Sequence, residues 1–166
     1  ATITVVLNTQ PTADVTIGLS SADLTEGTVS PASVTFTAGD WSILQTVTVT
    51  GVDDAVADGG VLYTIVTGAA TSADPVYSGM NPVDASATNA DDDAKGIIVS
   101  PAAGLVTDEA GAAATLTVVL QSQPTADVTV GLSSTDLTEG TVSPASITFT
   151  SANWSVAQTV TVTGVD

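Results

Sequence analysis

Three observations predict an all-β chain built as tandem immunoglobulin-like Greek-key β-sandwiches. Apolar residues recur at every second position with threonine between them, turn-forming Gly and Pro punctuate these runs at short intervals, and one long segment of the sequence occurs twice. The alternation is clearest at Ile3, Val5 and Leu7, at Val15, Ile17 and Leu19, at Val34 and Phe36, and at Val47 and Val49. Thr4, Thr16, Thr35, Thr46, Thr48 and Thr50 occupy the intervening positions, so each segment reads as a strand with one buried and one wet face.

Further strands are expected near 60–67, 83–89 and 96–100. Pro11, Gly27, Pro31, Gly39, Gly51, Gly59 and Pro75 mark connections. The Ala-rich stretches at 69–73 and 110–114 are read as a loop and a strand entry, and no segment has the period of a helix. Seven or so short strands per unit fit a two-sheet sandwich.

The repeat sets the domain organisation. Residues 1–53 return as residues 114–166, an offset of 113, and the copies differ at only 11 positions. Most changes keep character, such as Ile3 to Leu116, Ile17 to Val130 and Val34 to Ile147. Such similarity points to recent duplication within a longer array. Segment 54–113 occurs once. The reading therefore divides the chain into a first sandwich, residues 1–94, lacking its initial strand, and a second, residues 95–166, lacking its final strands. Each is expected to present open strand edges, and neighbouring copies of the repeat are expected partners, by strand complementation into a filament.

Composition narrows function. Lys95 is the only basic side chain against 18 acidic ones, the formal charge is −17, and His, Cys and Arg are absent. Serine triads, thiol chemistry and zinc sites of His or Cys are excluded, and the reading is non-enzymatic. One cation does not neutralise phosphates, so nucleic acid and anionic membrane surfaces are not expected partners. No apolar run is long enough for membrane insertion as a helix, no signal pattern is visible at the N-terminus, and without Cys no disulfide staples the fold.

The simplest cationic partner is a metal ion. Carboxylates cluster at Asp53, Asp54 and Asp58, at Asp91, Asp92 and Asp93, and at Asp108 with Glu109, each beside a strand end. Like charges packed this closely repel unless a cation offsets them. Calcium suits the set, taking 6–8 oxygens from carboxylates, carbonyls and water. The same residue types also serve as turn formers and solvated linker charges.

The wording GLSS…TEGTVSP…TFT…W…QTVTVTGVDD, the acidic VTDEAG entry and the DDD run resemble the Calx-beta domain across the whole chain, as found in arrays on large bacterial adhesin-like proteins. The resemblance implies calcium (Ca2+) held at one pole of each sandwich. Its ligands would be Glu109, then Asp53, Asp54 and Asp58, then Asp91, Asp92 and Asp93, with Asp166 as the second copy of Asp53. It implies an extracellular, bacterial cell-surface location and a structural role in a fibre, stalk or adhesin array, with calcium rigidifying the junctions between repeats. The alternative is an adhesion module in which Trp41 or its copy Trp154 stacks on a glycan or binds another surface ligand, although a mid-repeat Trp more often anchors packing. Glu26 and Glu139 read as turn residues. Asn153-Trp154-Ser155 matches a glycosylation sequon, but the first copy has Asp40 at the Asn position, so the match is read as chance.

Overall fold

Alternating β-branched and threonine residues give extended chain, and the computed structural model, which describes all 166 residues, contains strands and no helix. The strands are β1 (Thr2–Val5), β2 (Val15–Ser21), β3 (Gly27–Ser30), β4 (Ser33–Phe36), β5 (Gln45–Gly51), β6 (Val61–Thr67), β7 (Thr71–Ser72), β8 (Ala85–Asn89), β9 (Ile97–Ser100), β10 (Ala113–Leu120), β11 (Val128–Gly131), β12 (Gly140–Ser143), β13 (Ser146–Phe149) and β14 (Gln158–Gly164). Two compact units emerge, one of Ala1–Asp54 with Gly59–Asp91, the other of Ala55–Asp58 with Asp92–Asp166. All pairings are antiparallel.

In the first unit, one sheet has the order β1-β5-β3. The other has the order β4-β2-β6-β8, with β7 also paired to β2. Inward residues of both sheets share a core. Val47 from the first sheet and Leu7, just past β1, join Val15, Ile17, Leu19, Val34 and Phe36 from the second, closed by Ala70 and Tyr77. Val49, Tyr63 and Ile65 form a second cluster towards β8. Two antiparallel sheets facing one core are the arrangement of a β-sandwich.

The second unit has a four-stranded sheet β12-β14-β10-β9 and the pair β11-β13. Val118, Leu120 and Val160 meet Ile147 and Phe149 in its core. Wherever both copies hold a strand pair, the registers coincide after the 113-residue offset: Thr2 opposes Thr48 as Thr115 opposes Thr161, and Val15 opposes Phe36 as Val128 opposes Phe149.

Two details depart from the sequence reading. β3 and its copy β12 fall in the stretch read as a turn, because GTVS has a single apolar residue and shows no period of its own; its pairing with β5 makes it a strand. β7 lies within the stretch read as a loop, two residues long and paired to Val15 and Thr16. The Asn153 sequon has a structural use: its Oδ1 accepts from Thr150 N at 2.6 Å, as Asp40 Oδ1 does from Thr37 N at 2.6 Å. Either residue supplies that acceptor, which explains the exchange between copies.

Candidate functional site

The acidic residues that follow β5 and β8 are brought together by the side chain of Asn89, at the end of β8. Its Nδ2 donates to Val52 O at 2.6 Å, just past β5, and to Glu26 Oε2 at 3.4 Å. Val52 N in turn donates to Glu26 O at 3.0 Å. The chain leaving β5 is thereby tied to the end of β8 and to the turn before β3. Asp91 adds a second tie: its Oδ2 accepts from Gly59 N at 2.7 Å. Gly59 has a φ of +82°, a conformation that suits glycine in this turn.

With these segments pinned, the acidic stretches that begin at Asp53 and at Asp91 leave from strand ends held together within the first unit. Asp53 and Asp92 are exposed and Asp93 is half-buried. Carboxylates crowded on one stretch of chain repel, and their oxygens are the donor type that calcium takes.

Asp54 and Asp58 are exposed on the turn after β5, and Asp91 anchors that turn through Gly59. Glu109 is exposed in a turn closed by Gly111 N donating to Asp108 O at 3.1 Å, with Ala112 N on Asp108 Oδ1 at 2.9 Å. Asp166 is exposed at the last residue of the chain.

Trp41 and Trp154 are half-buried and pack against the cores of their own units. Their carbonyls accept from Leu7 N and Leu120 N, both at 3.1 Å. Glu26 and Glu139 also act through the backbone, each carbonyl accepting from the residue after the QTVTVTG strand, Val52 at 3.0 Å and Val165 at 3.2 Å.

One structural carboxylate escaped the sequence reading. Asp74 is buried, accepting from Thr12 N at 2.7 Å and Val76 N at 2.8 Å. These backbone donors, Thr12 first, hold its carboxyl below the usual range. It fixes the loop after β7 against the start of β2. Tyr77 completes the lock: its hydroxyl donates to Thr9 O at 2.6 Å and accepts from Thr9 N at 3.1 Å. The signal available in the sequence was Ser72-Ala73-Asp74-Pro75, a string of turn formers whose Asp bonds the amide two residues on.

Asp23 and Asp136 are held low in the same way, first by the hydroxyls and then by the amides of Thr25 and Thr138, and Asp40 first by the amide and then by the hydroxyl of Thr37. These bonds lock the turns they stand in. No family model and no curated protein matches the chain.

Proposed function

We propose that this chain is part of a calcium-binding structural array: tandem immunoglobulin-like Greek-key sandwiches of Calx-beta type, on an extracellular fibre, stalk or adhesin at a bacterial cell surface. The observation that carries the reading is that the two acidic segments, Asp53 and Asp54 after β5 and Asp91 after β8, leave from strand ends that Asn89 ties together. A divalent cation there would offset their repulsion and cross-link the two segments. It would also limit motion at the junctions between repeats, which suits an array acting as a spacer.

Two further facts support a structural role. The copies differ at only 11 of 53 positions, loops included, whereas a recognition module would be expected to vary its contact loops. The absence of His, Cys and Arg leaves little means for catalysis near neutral pH.

The test is a thermal melt of the 166-residue chain in chelator, in calcium and in magnesium. A cation bound only by the folded state stabilises by about 2.7 kcal/mol at 100 times its Kd, so Tm rises by several degrees in calcium. Magnesium, which demands tighter octahedral geometry, has far less effect. The triple variant Asp53→Asn, Asp92→Asn, Asp93→Asn should abolish the calcium response. A Tm that does not move with calcium refutes the reading.

A further inference from the structure

The 18 carboxylates of the chain all lie in turns and connections, and no strand contains a charged residue. One sheet face goes further and is made of hydroxyl side chains. In the first unit, the side of β1-β5-β3 turned away from the core presents Thr2 and Thr4, then Thr46, Thr48 and Thr50, then Thr28 and Ser30, all exposed. The alternation that sends Ile3, Val29, Val47 and Val49 into the core places every one of these residues outward.

Strand register gives the face order as well as composition. Thr4 stands opposite Thr46, Thr48 lies between Thr2 and Ser30, and Thr28 stands opposite Thr50. Within a strand the hydroxyl residues recur about 6.8 Å apart, and neighbouring strands are about 4.7–4.9 Å apart, so the positions form a two-dimensional net. Twist limits such order to a few strands, and this sheet is three strands wide.

All these residues recur in the second copy as Thr115, Thr117, Thr159, Thr161, Thr163, Thr141 and Ser143. They keep the same opposed pairs, and β9 lengthens one row by setting Ser100 opposite Thr117. Thr115, Thr141, Ser143 and Thr159 are exposed there, and the other three are half-buried.

The hydroxyls are also uncommitted. On the opposite sheet of the first unit, Thr16 and Thr35 bond to each other at 2.9 Å. None of the side chains on the outward face of β1-β5-β3 has a hydrogen-bond partner within the protein, so each offers a donor and an acceptor to what lies outside. In the second copy only Thr117 is engaged, donating to Ser100 O at 3.2 Å.

What such a face recognises follows from what it has and what it lacks. On a chain of net charge −17, a charge-free face offers nothing to a cation, a mineral or a basic protein, which the carboxylates of the turns would attract instead. No aromatic ring stands on it for a sugar to stack against. A net of alternating hydroxyls and methyls suits a solid whose own surface is an ordered array of water. Its two periods are close to the repeats of the prism face of hexagonal ice. We propose that the outward face of β1-β5-β3, with its copy on β10, β14 and β12, binds ice. The hydroxyls take up water positions of the crystal as donors and acceptors, and the threonine methyls order the water held between them.

The test grows ice slowly from a solution of the 166-residue chain and measures protein in the melted ice fraction by tryptophan fluorescence. Chelator is present throughout, so the result is independent of the calcium reading. The parent should be enriched in the ice relative to a protein of similar size and charge that lacks such a face. The double variant Thr48→Tyr, Thr161→Tyr puts a ring in the middle of both nets and should lose the enrichment. Ser86→Tyr, on the exposed side of the other sheet, should keep it. Should the double variant lower Tm, Thr28→Asp with Thr141→Asp replaces it. Both positions are exposed on edge strands, where a charge is tolerated, and both lie within the hydroxyl rows. Exclusion of the parent from ice to the same degree as the control protein overturns the proposal, as does equal enrichment of the parent and the face variant.

Discussion

The same valine in the two repeat copies should carry different weight. Val15 is fully buried, packed in a core closed by Ala70 and Tyr77 and paired through the backbone to both Phe36 and Ser72. Its counterpart Val128 has the same partner in Phe149 but is only half-buried. Val15→Ala removes two methyl-sized groups from water-free surroundings, about 1.6 kcal/mol of transfer, and the cavity left in a pinned core adds about 1 kcal/mol more. Val128→Ala removes groups that water already reaches in part and leaves a dent that solvent can enter, so about 1 kcal/mol or less is expected. Each unit contains one tryptophan packed on its own core, which allows separate readout. Urea titration following Trp41 in a Trp154→Phe background, and Trp154 in a Trp41→Phe background, should give losses that differ by more than about 1 kcal/mol. Losses equal within about 0.5 kcal/mol would refute the argument that residues 61–83 close the core over β2.

A second matched pair tests the cluster at Tyr63. A Cβ on Gly27 would strike the Tyr63 hydroxyl and ring, with Cε2 at 2.7 Å, whereas on Gly140 the nearest atom is Thr163 O at 3.4 Å. Gly27→Ala should lower Tm at a cost of about 1–3 kcal/mol while Gly140→Ala is near neutral, and similar melting of the two variants would contradict the packing described. The third prediction concerns acid. Asp74 has its pKa lowered from 3.8, so its contribution is fully present above that value and is lost as pH falls through the lower folded value. Asp74→Asn should therefore destabilise the first unit at neutral pH and give a shallower loss of stability below about pH 4, read by Trp41 fluorescence; an unchanged acid limb would remove Asp74 from the account.

Strands with two or more alternating apolar positions were legible from sequence, because the period of two states which face is buried. β2, β5 and β6 are of this kind. β3 and β7 were not, since Gly27–Ser30 offers one apolar residue and Thr71–Ser72 is too short to show a period; both exist because a neighbouring strand has an edge to fill. The acidic site divides in the same manner. That carboxylates cluster after β5 and after β8 can be read directly. Whether a particular Asp stands in that group or bonds a backbone amide depends on which N–H lies within reach, a tertiary fact. Asp91 is taken up by Gly59, and Asp74, absent from any acidic run, is the carboxylate the fold buries.

The near-identity of the two copies separates what a repeat encodes locally from what its surroundings supply. Every strand pairing present in both units keeps the same register, including the Thr16–Thr35 hydroxyl contact at 2.9 Å and its copy Thr129–Thr148 at 3.0 Å. Strand register is thus a property of the repeated sequence. Burial is not: Val15, Ile17 and Leu19 are buried, while Val128, Val130 and Leu132 are half-buried at equivalent positions with conserved character. The difference comes from β6, β7 and the Asp74–Tyr77 lock, all encoded in the part that occurs once. Conversely, the second edge of β10 is filled by Ile97–Ser100, also from that part. The repeated 53 residues therefore specify a scaffold of paired strands, and the intervening segment closes it twice over, its first half covering the core of one copy and its second half completing the sheet of the next.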